Sequence, residues 1–179
     1  MTGRWLWGAL LLALAGCGGD STSSPADADA PATITVASTA FGEGEAIPQR
    51  YTCDGDEVSP PLAWSGVPDG AAALALVVDD PDAPSGTFTH WVVLDIPVGT
   101  TSSDEGGVPA GGVQTTSSAG DAVYAGPCPP GGTHHYRFTV VALDAETGLG
   151  DGASLDDALE AVDEHAVARG TLTGTYTRG

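Results

Sequence analysis

The chain contains no lysine, and its five arginines, Arg4, Arg50, Arg137, Arg169 and Arg178, stand against 24 Asp and Glu, for a net charge of −19. Nucleic-acid binding needs a basic face that releases counterions from phosphates, so this composition excludes it. The same shortage excludes an electrostatic patch for anionic lipid. Cysteine is also sparse, at three residues, with neither a CxxC redox spacing nor a zinc pattern. The longest apolar run, Trp5 to Ala15, is too short to span a bilayer comfortably. No HExxH is present, and no G-x-S-x-G; the near miss GASLD (152–156) follows a glycine-rich loop and reads as a helix cap. DGDEVS (54–59) fails the calcium-loop pattern at Val58 and Ser59.

What is present begins with a leader. Arg4 precedes the apolar run, which ends in LAGC, Leu14 to Cys17. This resembles a bacterial lipobox, in which the cysteine becomes the lipidated first residue of the mature chain. Residues 1–16 are therefore expected to be a lipoprotein signal peptide, and 17–32 a lipidated Cys17 followed by a flexible Gly/Ser/Pro/Asp tether. Cleavage would leave four arginines against 24 acids, a net charge of −20. Such a chain sits in the cell envelope of a bacterium, lipid-anchored on its periplasmic or extracellular face, with the membrane as a partner through the anchor. Cys53 and Cys128 then remain as an even pair, for which a disulfide is the natural reading in an oxidising compartment; two buried thiols are the alternative.

Residues 33–179 carry many strand signals and one helix signal. TITVAS (33–38) and TLTGTYTR (171–178) alternate polar and apolar residues, and HWVVLDIP (90–97) and HYRFTVVALD (135–144) are β-branched and aromatic. AAALALVVDD (71–80) is nearly continuous in apolar residues, as in a strand buried on both faces. SPPLAWSGVPDG (59–70) and AGPCPPGGT (125–133) read as loops. Ser154 is a candidate N-cap for a helix whose apolar face is Leu155, Ala158, Leu159, Val162 and Ala166, with Gly170 as its stop. The fold class is mostly β, with a peripheral helix in the C-terminal half.

The chemistry concentrates in DDPDAPSGTFTH (79–90), where Asp79, Asp80 and Asp82 crowd around Pro81 ahead of His90, and in GGTHHY (131–136). The acids, His90 and His134 could supply oxygen and nitrogen ligands to a metal. A histidine pair, an aspartate that orients an imidazole, and Gly/Pro loops with free backbone N–H groups suit a phosphate or carboxylate instead. His165, near the helix C-terminus, reads as a complement to the helix dipole.

DDPDAPSGTFTHWVVLDIP (79–97) and YAGPCPPGGTHHYRFTVVALD (124–144) resemble the two signature regions of the phosphatidylethanolamine-binding protein family, in its bacterial, Raf-kinase-inhibitor-like branch. YTCDGDEVSPPLAWSGVPDG (51–70) resembles that branch too. The resemblance implies two antiparallel β-sheets with a small anion pocket at one end. It implies that Asp80, Asp82, His90, Gly126, Pro129, His134 and Tyr136 line that pocket, with no metal and no cofactor. The implied function is non-catalytic binding of phosphate, phosphoethanolamine or carboxylate head groups. A protein-interaction inhibitor, acting on a protease or envelope partner through the pocket rim, is the alternative. The family's usual H-R-Y is H-H-Y here, and His135 should point away from the pocket because alternate strand residues face opposite ways.

Overall fold

The computed structural model describes residues 24–27 and 29–179, so the expected signal peptide and Cys17 lie outside the described residues. Among the described residues there are eight strands and one α-helix: β1 (Thr35–Ala37), β2 (Leu62–Ser65), β3 (Ala73–Asp80), β4 (Phe88–Ile96), β5 (Ser102–Ser103), β6 (Val113–Gln114), β7 (Gly132–Leu143), α1 (Leu155–His165) and β8 (Ala166–Arg178). They form a three-stranded sheet in the order β1-β2-β5 and a five-stranded sheet in the order β6-β4-β3-β7-β8. Every pairing between these strands is antiparallel.

All eight residues of β3 are buried, because both of its faces are covered. Leu74, Leu76 and Val78 turn inward with Trp91, Tyr136 and Phe138 and meet Val36, Leu62 and Trp64 of the smaller sheet. Ala75 and Val77 turn outward with Val92, Leu94, Val141 and Leu143, beneath Ala158 and Val162 of α1. Burying a large side chain of this kind contributes roughly 1.5–3 kcal/mol, so these two layers hold the sheet in place.

Three sequence expectations need correction. Residues 62–65 form a strand inside the expected 59–70 loop; Pro60 and Pro61 stop short of it, where they cost no ladder hydrogen bond. The helix begins as expected, with the Ser154 hydroxyl accepting from the Asp157 N–H, but it ends at His165. Ala166 and Gly170 belong to β8, paired with Leu143 and Val140. Here the long β7–β8 ladder overrides helical propensity. Finally, the tether is not free along its whole length. Pro25–Asp27 form a 3₁₀ turn in which Pro25 and Ala26 are buried against the domain.

The outer edge of β8 is covered by residues 31–47. Ile34 N–H donates to Arg169 O, Gly44 N–H to Thr173 O and Ile47 N–H to Thr175 O. The crossing requires glycine in β8: a Cβ on Gly170 would lie 1.9 Å from Ile34 O, and one on Gly174 would lie 2.5 Å from Ile47 Cγ1. A covered edge offers no template for pairing with another chain.

Candidate functional site

β3 ends in Asp79 and Asp80, side by side but on opposite faces of the sheet. Asp79 lies outward, where Arg137 donates to it through Nε (2.7 Å) and Nη2 (2.9 Å). Asp80 lies inward. Its Oδ1 accepts from the Asp82 N–H (2.8 Å) and fixes the turn at Pro81. Its Oδ2 accepts from Nδ1 of His134, on β7, at 2.7 Å.

His90 reaches the same place because the β3–β4 register slips. Val78 pairs with Trp91 and Asp79 with Thr89, leaving His90 as the extra residue of a bulge. A bulge re-aims side chains that strict alternation would send elsewhere. His90 Nδ1 donates to the Ala125 carbonyl at 2.9 Å, since a carbonyl can only accept. The ring packs between Phe88, 4.8 Å away between centroids, and the Tyr136 ring, 5.3 Å away and edge-on. Burial pushes the His90 imidazole below its ordinary pKa, against the opposing pull of the Ala125 hydrogen bond and the carboxylates of Asp80, Asp79 and Glu57.

These residues surround a cavity of about 270 Å³. Asp80, His90, Gly126 and His134 line it, together with Glu57, Phe88 and the Cys53–Cys128 disulfide, which joins chain segments 75 residues apart. Gly126 permits the close approach of the two wall loops: a Cβ there would lie 2.9 Å from Tyr51 O, and its N–H donates to Glu57 Oε1. The wall contains no free thiol and no serine or threonine hydroxyl.

Three residues expected in the wall lie outside it. Asp82 is exposed and turned toward His135, accepting from its N–H (2.8 Å) and its Nδ1 (2.7 Å). Those two bonds, the side-chain one first, hold the Asp82 carboxyl below its usual range. Pro129 is buried behind the wall. Tyr136 is fully buried; its hydroxyl lies near the Asp80 carboxylate and the Cys128 backbone but makes no well-formed hydrogen bond to either. Burial, with Asp80 nearby, pushes that hydroxyl's pKa up. Conversely, Glu57 and Phe88, which lie in segments 51–70 and 79–97 but outside the set expected in the wall, enter it; Glu57 is held there with a positive φ of 56°. Among the described residues, no three His, Cys, Asp or Glu side chains are grouped to hold a metal ion, and no helix is long and apolar enough to cross a membrane.

Residues 37–177 match the family model described as phosphatidylethanolamine-binding protein. A UPF0098 protein of Methanothermobacter thermautotrophicus is 48% identical over 145 residues, covering 78% of this chain and 96% of its own. A Mycobacterium tuberculosis protein named as a lipoprotein, LppC, is 44% identical over 185 residues, covering 94% of this chain and 92% of its own. Among solved structures, YbcL of E. coli, titled a member of the mammalian PEBP family, superposes with a TM-score of 0.77 at 32% identity, over 83% of this chain and all (100%) of that one. CT736 of Chlamydia trachomatis, titled a homologue in the same family, gives 0.76 at 37% identity, over 82% of this chain and 99% of that one.

Proposed function

The chain belongs to the phosphatidylethanolamine-binding protein family, and from that premise we propose that it is a lipid-anchored, non-catalytic binding protein of the bacterial envelope. Its cavity takes small phosphate- or carboxylate-bearing groups, with the phosphoethanolamine head group as the family-level ligand. The observation that carries this reading is the convergence of His90 and His134 on one cavity, each with its Nδ1 proton already committed, to Ala125 O and to Asp80.

That commitment leaves Nε2 of each ring for a ligand. In a neutral ring Nε2 is a lone-pair acceptor, and in the imidazolium form it is a donor. An anion that enters must therefore bring a proton or draw one onto the rings. The binding step is proton uptake at His90, with Asp80 orienting His134. A cavity of this size suits a head group rather than a whole lipid. Calorimetric titration of the lipid-free domain with phosphoethanolamine tests the reading. Saturable binding that His134→Ala weakens at least tenfold is expected; no binding at millimolar ligand, or equal binding by the variant, would overturn it.

A further inference from the structure

The disulfide in the cavity wall is chemically lopsided. Cys128 is exposed and Cys53 half-buried, and both line the cavity. Arg178 Nη1 donates to Cys128 Sγ at 3.3 Å, and its Nη2 to Asp54 Oδ1 at 2.9 Å. Asp54 also accepts from the Tyr176 hydroxyl at 2.9 Å, so the carboxylate that holds Arg178 at the sulfur is itself held. Cys53, by contrast, opens an acidic segment in which Asp54, Asp56 and Glu57 follow it. Arg50 lies 3.6 Å from Asp56 but is turned to Glu105 at 2.9 Å.

The two wall segments do not depend on the S–S bond alone. Cys53 N–H donates to Pro127 O at 3.2 Å, the Tyr124 hydroxyl to Tyr51 O at 3.0 Å and Gly126 N–H to Glu57 Oε1 at 3.2 Å. Breaking the bond therefore frees two side chains before it frees two segments. Exposed disulfides are the ones that thiol exchange reaches most readily. In that reaction a thiolate attacks one sulfur, and negative charge gathers on the incoming and departing sulfurs. A guanidinium at Cys128 stabilises that sulfur as the departing one, whereas the carboxylates after Cys53 oppose its departure.

We propose that Cys53–Cys128 is a thiol-exchange site, opened by an external dithiol that attacks Cys53 and expels Cys128 as a thiolate against Arg178. The first thiolate of the reductant bonds to Cys53 Sγ as the S–S bond breaks, and the electron pair of that bond leaves on Cys128 Sγ. The second thiol, deprotonated, then attacks the first and releases Cys53. The dithiol ends as a disulfide, and two electrons and two protons have passed to the cysteine pair. Because the pair belongs to the cavity wall, its state is coupled to the ligand. Whatever factor reduction takes from anion affinity, a bound anion adds to the stability of the disulfide. The coupling rests on the anion-binding reading above; the exchange chemistry does not.

The full chain with Cys17→Ser carries these two cysteines alone. Its reduction by dithiothreitol is followed by thiol trapping and mass spectrometry, and the first adduct of 2-mercaptoethanol, a neutral monothiol, is mapped after rapid alkylation. The adduct should sit on Cys53 and the alkyl group on Cys128. Arg178→Gln should slow reduction about threefold, Arg178→Lys should restore most of the rate, and Asp54→Asn should speed it. A loop merely loosened by substitution would be reduced faster in every variant, so an Arg178→Gln rate equal to or above wild type would overturn the proposal. An adduct on Cys128 would overturn it too. In a dithiothreitol redox buffer, saturating inorganic phosphate should shift the equilibrium toward the disulfide about threefold or more, matching the loss of phosphate affinity on reduction. An equilibrium blind to phosphate that the oxidised protein does bind would overturn the coupling. If the oxidised protein binds no phosphate, it is the reading of the cavity that fails, and the rates and the adduct still decide the exchange site.

Discussion

At the scale of single residues, Tyr136 holds the most exposed chemical question in the least exposed position. Its hydroxyl is buried beside His90, near the Asp80 carboxylate and the Cys128 backbone, with no well-formed hydrogen bond. A buried hydroxyl lacking a hydrogen bond costs about 1–3 kcal/mol. Tyr136→Phe should leave the stability of the empty protein unchanged or raise it by about 1 kcal/mol in urea unfolding. His90 supplies a pH dependence with a definite sign. Its folded pKa lies below the ordinary 6.5, so as pH falls from neutral the unfolded chain takes up the proton first. The stability present above 6.5 is lost as pH falls through the folded value, and a bound anion, which favours the imidazolium, opposes that loss. Phosphate affinity should therefore strengthen between pH 8 and pH 5, and the urea midpoint should fall over the acid half of that range less steeply with phosphate than without. A flat affinity profile would argue against imidazolium donors.

Among the elements, what was legible in the sequence was whatever depends on local pattern. The run at 71–80 announced a strand covered on both faces, and β3 is one. The Ser154 cap announced α1. What was illegible depends on partners far away in the chain. Nothing in AVARG, residues 166–170, separates a last helical turn from a strand until β7 is there to pair with it. The Leu62–Ser65 strand is equally short and equally dependent on β1 and β5. At the site, Asp80, His90, Gly126 and His134 were readable as motif residues that the structure does bring to one cavity, whereas Glu57 arrives through loop geometry alone. The glycines of β8 show why pattern is an incomplete guide: their role is to admit residues 31–47, which lie more than a hundred positions away. Gly170→Ala should destabilise by about 3 kcal/mol in urea unfolding, because the obstacle is the Ile34 backbone rather than a side chain that can turn aside.

For the whole molecule, two long-range links matter most: the ladder that joins β7 to β8, and the disulfide that joins one wall of the cavity to the other. Cys53 and Cys128 enclose most of the five-stranded sheet's first half, β3, β4 and β6 included, within a loop of 75 residues. Opening so long a loop in the unfolded chain should cost about 4 kcal/mol in the chain-entropy view. The double variant Cys53→Ser with Cys128→Ser should lose that much in chemical denaturation. Because both cysteines line the cavity, it should lose ligand affinity as well, even where the fold persists by circular dichroism.

The bulge at His90 has a consequence for chain length rather than residue identity. The β3–β4 register accommodates one residue more on β4 than on β3 between Val78 and Asp79. His90 faces the cavity only because that extra residue is present. A relative that kept every aspartate, proline and histidine of the motif but lost one residue between Thr87 and Thr89 would restore regular alternation. Its histidine would then turn to the α1 side, among the positions of Val92 and Leu94. In this chain, the count of residues between DPDAP and the histidine carries as much information about the site as the letters do.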